Sequence, residues 1–153
     1  MKTCSLKMAI LATGLLSMGA VSEAQQPHAT LAEQKTCAAQ ASTFYKESTD
    51  FANTKNATKN EFTSHYDPAT KACYVRINVT VFEDKKAAVS SYIFDAFEGR
   101  SLGTYLWFSY PQKKYWEVKP TMCNVKPAGS PKQSCTSTEE FEALVDKFFG
   151  LGE

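Results

Sequence analysis

The chain predicts an α+β domain: an N-terminal helix, an antiparallel meander sheet of four to five strands, and a C-terminal amphipathic helix packed on that sheet. Three observations carry this expectation. Apolar positions recur at helical steps from Leu31 to Ser48, residues 73–82 alternate between two chemistries, and residues 137–149 return to the helical period.

The elements follow in order. Over Leu31–Ser48 the stripe is Cys37, Ala38, Ala41, Phe44 and Tyr45, ending in polar Ser48, among good helix formers. Thr49–Asn60 is polar and reads as a loop; its Asn56-Ala57-Thr58 sequon, like Asn78-Val79-Thr80, matters only in a glycosylating host. Glu61–Tyr66 suits a short strand, and Asp67-Pro68-Ala69-Thr70-Lys71 is a turn, with Pro68 at the first central position. From Cys73 to Phe82, Cys73, Val75, Ile77, Val79 and Val81 share one face. Tyr74, Arg76, Asn78 and Thr80 share the other, the pattern of a half-buried antiparallel strand. Glu83-Asp84-Lys85-Lys86 turns the chain back.

Val89–Glu98 and Leu102–Tyr110 form the next pair. Gly99-Arg100 between them fits a type II′ turn, which sets Glu98 opposite Ser101. In that register Phe97 lies by Leu102, Asp95 by Thr104 and Ile93 by Leu106. Tyr92, Phe94 and Ala96 then share the opposite face with Gly103, Tyr105 and Trp107. Pro111–Lys114 turns into a strand over Tyr115–Val118; Pro120 interrupts it, and Met122–Val125 extends it as an edge. Lys126–Ser134 is a Pro/Gly/Ser loop. Ser137 and Glu140 make a capping box for the last helix, whose stripe is Phe141, Leu144, Val145, Phe148 and Phe149. Gly150 stands where a left-handed C-cap belongs.

The start of the chain predicts export. Lys2 and Lys7, an apolar run from Met8 to Val21 and the small-residue pattern Ser22-Glu23-Ala24 are the marks of a secretory signal peptide over residues 1–24. The run is short for a membrane span. Residues 25–30 then form a flexible mature terminus and residues 31–150 a single domain. Cys4 leaves with the leader and lies ahead of the apolar run, so it is no lipoprotein anchor. Cys37, Cys73, Cys123 and Cys135 remain, and an even set in an exported chain reads as two disulfides. Four cysteines allow three pairings. We favour Cys123–Cys135, which closes the proline-rich loop, and Cys37–Cys73, which staples the first helix to the central strand. The close Cys pairs of zinc sites and the Cys-x-x-Cys of redox sites are absent, so neither metal nor cofactor is expected. Removing Lys2 and Lys7 from 17 basic residues and Glu23 from 16 acidic ones leaves no net charge. That argues against nucleic acid or an anionic membrane as partner. The expected location is periplasmic or secreted, with no membrane span in the mature form.

Few residues suggest catalysis. His65 lies between Ser64 and Asp67, but adjacent strand residues face opposite ways, so this segment builds no Ser-His-Asp triad. No Gly-x-Ser-x-Gly elbow presents a nucleophile. Asp95 falls mid-strand among Ile93, Phe97 and Leu106, where a carboxylate needs partners such as Thr104. It is either a structural aspartate or an acid in a cleft. Asp95 and Glu98 are three apart and diverge, unlike the paired carboxylates of glycosidases. The aromatic load is more suggestive, since nine of the nineteen aromatics fall between Tyr92 and Trp116. The face of Tyr92, Phe94, Tyr105 and Trp107 is either a second core or an exposed ligand platform.

At His65-Tyr66-Asp67, Lys71-Ala72-Cys73-Tyr74-Val75 and Asp95-Ala96-Phe97-Glu98-Gly99, the chain resembles a family of small exported bacterial proteins without assigned function. Cys123, Cys135 and Glu139-Glu140-Phe141 are similar too, so the resemblance spans most of the mature chain. It implies export and the cysteine pattern, and no activity. The leading expectation is a non-enzymatic protein that binds a protein, glycan or small ligand through the aromatic face. The alternatives are an envelope hydrolase centred on His65 or Asp95, and an inhibitor acting through the loop between Cys123 and Cys135.

Overall fold

The structure, a computed structural model, describes residues 28–48 and 57–151 of the 153-residue chain. The expected signal peptide with Cys4, the start of the mature terminus and most of the polar loop, including Asn56, lie outside the described residues. The elements are α1 (Leu31–Glu47), β1 (Ala57–Asp67), β2 (Ala72–Glu83), β3 (Lys86–Asp95), β4 (Arg100–Phe108), a 3-10 turn (Tyr115–Glu117), β5 (Met122–Val125), β6 (Gln133–Ser134) and α2 (Thr138–Phe149). The strands form one antiparallel sheet in sequence order. The fold class is therefore the α+β meander expected, lengthened by the two-residue strand β6.

Helices cover both faces of the sheet. The α1 helix starts at a capping box in which Thr30 accepts the Glu33 amide and Glu33 receives the Thr30 amide at 2.8 Å. It lays Cys37 and Ala41 on the face of Cys73, Val75, Ile77 and Val79, with Phe44 against Phe94 and Tyr45 stacked on Phe62. The α2 helix lies on the opposite face, where Phe141, Val145 and Phe149 pack with Tyr74, Ile93, Leu102, Tyr105, Trp107 and Val125. Ser137 caps the Glu140 amide, and Gly150 ends the helix at φ 61°. Cover on both sides explains why Cys73 to Ile77 are all buried although they alternate in direction. Both expected disulfides, Cys37–Cys73 and Cys123–Cys135, are present. Among the described residues no helix is long and apolar enough to cross a membrane.

The expected Thr49–Asn60 loop gives way to β1 at Ala57, and the Glu140 carboxylate accepts the Thr136 amide at 2.6 Å instead of completing a box with Ser137. Two larger expectations also fail. The β3–β4 connection is not a two-residue turn. Asp95 accepts the amides of Phe97 at 3.0 Å and Glu98 at 3.4 Å, and its carbonyl accepts the Gly99 amide at 2.8 Å. This side-chain-braced loop stops β3 at Asp95, opposite Arg100, with Gly99 at φ 68°. Ser101 then pairs with Phe94 and Gly103 with Ile93, so Leu102 is an extra residue, a β-bulge. Beyond it Tyr105 pairs with Ser91 and Trp107 with Val89. A single inserted residue exchanges the faces of everything past it. The second failure is Tyr115–Val118, a 3-10 turn closed by the Glu117 carboxylate on the Lys114 amide at 2.9 Å rather than a strand.

Candidate functional site

The bulge at Leu102 dissolves the shared aromatic face. Tyr105 and Trp107 belong to the α2 side, at 3% and 7% exposure, and the Trp107 indole donates to the Val118 carbonyl at 3.0 Å. Tyr92 and Phe94 point to the α1 side, opposite Ile77 and Val75, and both are half-buried. The four residues do not meet, and two of them are core. Gly103 shows how tightly the α2 side is packed here, since a Cβ would meet Ile93 Cγ1 at 3.1 Å and Val125 Cγ1 at 3.2 Å.

The other sequence candidates also have clear positions. The Asp95 carboxylate is occupied by the two turn amides, with Arg100 Nη2 at 3.8 Å, so its work is to shape the loop. His65 is exposed and pairs with Tyr74, which pairs with Asp95. Two strand spacings, roughly 10 Å with Tyr74 between, therefore separate His65 from Asp95, too far for a dyad. The 123–135 segment is the β5–β6 hairpin: Lys126 donates to the Leu102 carbonyl at 2.6 Å, Pro127 is buried, and Ser130 donates to the Pro127 carbonyl. Its base is tied to the sheet on both sides of the disulfide.

Chemistry gathers instead along the flank of α2. Three cavities lie there in a row. One of about 340 Å³ is lined by Tyr105, Tyr115, Trp116, Lys119, Thr138 and Glu139 among others. A smaller one of about 160 Å³ includes Tyr105 and Thr138 again, with Glu61, Arg76, Asn78, Thr80, Ser91 and Glu142. A third of about 340 Å³ shares Glu61, Arg76 and Asn78 and adds Thr63, His65, Gly150 and Leu151, the last described residue. Shared lining residues join each to the next, making one interrupted groove that starts between β4, the 3-10 turn and the start of α2 and continues to the β1–β2 side of the sheet.

Its floor is Arg76, 4% exposed in the middle of β2. The guanidinium grips Glu142 with two donors, Nη1 to Oε2 at 2.7 Å and Nη2 to Oε1 at 2.5 Å. Nη1 also reaches the Leu151 carbonyl at 3.1 Å, and Nε reaches Asn78 Oδ1 and Ser91 Oγ, each at 3.0 Å. The fork-to-fork pair ties helix, C-terminal segment and sheet together, and it leaves Arg76 little capacity to hold an incoming anion. The sill between the first two cavities is a set of hydroxyls. Tyr105 and Thr138 are joined at 2.8 Å, and Tyr115 also bonds Thr138. Burial, with Tyr115 close by, pushes the Tyr105 phenol up to about 12. At one end stands Trp116, 76% exposed, with Lys114 Nζ 5.2 Å from its ring centroid.

Two other hollows, of about 510 Å³ beside the β2–β3 turn and about 520 Å³ at the start of α1, adjoin the undescribed segments. Val81 in the first pairs with Ala57, and His28 in the second is the first described residue. Of the groove residues, His65 and Tyr105 are singled out by the sequence, whereas Arg76 and Trp116 are not. Arg76 reads as the solvated side of a half-buried strand until a helix covers that side, and Trp116 reads as part of a strand. No family model matches the chain, and no curated protein or solved structure matches it either.

Proposed function

We propose that this is a non-enzymatic binding protein whose ligand lies in the groove along α2, not on a flat aromatic sheet face. The row of joined cavities carries this reading, because it sets an exposed aromatic, hydroxyls, a carboxamide and carboxylates along a single line. A concave site with convergent polar groups is where ligands are usually held. Catalysis fits the line poorly. Glu142 is committed to Arg76, Asp95 to its turn, and Tyr74 stands between His65 and Asp95. Export to the periplasm or beyond belongs to the same proposal, supported by two disulfides, which persist in oxidising compartments.

The test is an amide-resolved NMR screen against neutral sugars, short peptides and amino acids. Shifts confined to residues 115–119, 136–142 and 61–65 are expected. Shifts confined to α1 with Tyr92 and Phe94, or to residues 126–132, would move the site to another surface and end this reading.

A further inference from the structure

We infer that the groove accommodates an uncharged, extended oligosaccharide, one end of which stacks on Trp116. This rests on the groove being the binding surface. Several observations select the ligand class. Trp116 is the most exposed large apolar side chain recorded among the described residues, and it lines the first cavity. Lys114 lies over its ring, and an aromatic ring has a second face. That face is electron-rich and suits the polarised C–H bonds of a pyranose.

Beyond Trp116 the lining is rich in hydroxyls and carboxamide: Thr138, Ser91, Thr80, Asn78 and Thr63. Ser91 and Asn78 each accept from Arg76 through one atom and keep donors, and Thr138 is shared with Tyr105 and Tyr115. Thr63 and Thr80 carry hydroxyls that can donate and accept, as alternating sugar hydroxyls require. The charges nearly balance, which suits an uncharged ligand. Glu61, Glu139 and Glu142 line the row with Arg76 and Lys119, Lys114 stands at Trp116, and the buried cation among them is already held by Glu142. The first two cavities lie over the sheet face, and the third borders β1, an edge strand, so the tetraserine arm of the experiment below reads whether a peptide pairs there. Its length follows α2, whose twelve residues span about 18 Å, which calls for a straight chain of several sugars. β-1,4-linked hexoses form such straight ribbons, whereas α-1,4-linked ones coil.

The experiment is an NMR titration of the folded, disulfide-intact protein with cellotetraose, maltotetraose and tetraserine. Cellotetraose is expected to shift amides near Trp116 and near Glu61 in one saturable event, and Trp116→Ala to weaken it roughly tenfold, the loss of one stacked ring. Maltotetraose should bind more weakly. Binding of cellotetraose unchanged in Trp116→Ala would overturn the stacking assignment. Tetraserine moving the groove amides where neither sugar does would overturn the glycan assignment while leaving the groove reading intact. Silence of the groove toward all three would overturn both. Trp116 is surface-exposed, so the substitution leaves the core untouched, and an unchanged amide spectrum elsewhere checks this.

Discussion

Helix α1 buries only Cys37 and Ala41 completely against the sheet, whereas α2 buries Phe141, Val145 and Phe149. The first helix is tied to β2 by the Cys37–Cys73 disulfide; the second has no covalent link from within its own length and relies on packing and on Arg76. The contrast has a physical cause. A stripe of one cysteine, an alanine and two half-buried aromatics removes little apolar surface from water, so a cross-link compensates. The α2 stripe is large enough to dock unaided, and that leaves its flank free to carry polar chemistry. One face of the sheet is stapled to its helix, and the other is packed and grooved.

The comparison can be broken from either side. Phe141→Ala should cost about 3–5 kcal/mol in urea unfolding, because Phe141 is 0% exposed and its cavity opens beside Tyr105. Replacing Cys37 and Cys73 together by alanine should cost about 4 kcal/mol from the 36-residue separation, against about 3 for the Cys123–Cys135 pair with a separation of 12. The first loss should appear in hydrogen exchange as opening of α1 while α2 stays protected. Uniform opening of both helices would show that they are one cooperative unit.

Smaller effects sharpen the polar side. Glu142→Ala leaves a buried guanidinium without its carboxylate and should cost about 3 kcal/mol. Hydrogen exchange should rise first at the C-terminal end of α2 and at Leu151. The Tyr105 phenol, raised in the folded state, keeps its proton where an unfolded tyrosine has lost it. Its stabilisation is complete below about pH 10 and disappears as pH climbs toward about 12. Tyr105→Phe should therefore flatten the decline of stability over that interval. A decline equally steep in the variant would assign it to other tyrosines.

Much of this architecture is local in origin and was legible. The alternation of Cys73 to Val81 shows a strand whatever surrounds it, and Ser137 with Gly150 bounds α2 from its own sequence. What was not legible has two causes. The Asp95 side chain braces its loop through amides only two and three residues on, a local turn that competes with the two-residue turn Gly99-Arg100 suggests. The bulge at Leu102 depends on distant partners, Val125 and the Lys126 amide, and together the two decide which way Tyr105 and Trp107 point. Arg76 finds Glu142 66 residues away, so the floor of the groove exists only once α2 has docked. Trp116 was misplaced because Tyr-Trp-Glu-Val has strand composition, while the Glu117 contact to Lys114 winds it into a turn.

The bulge sends Trp107 into the core, and Trp116 stands at the mouth of the groove. Acrylamide quenching of the two single-tryptophan proteins, Trp116→Phe and Trp107→Phe, tests this directly. Blue-shifted, weakly quenched emission is expected from Trp107, and red-shifted, strongly quenched emission from Trp116. Strong quenching of Trp107 with a shielded Trp116 would restore the flat aromatic face and remove the groove from the mechanism.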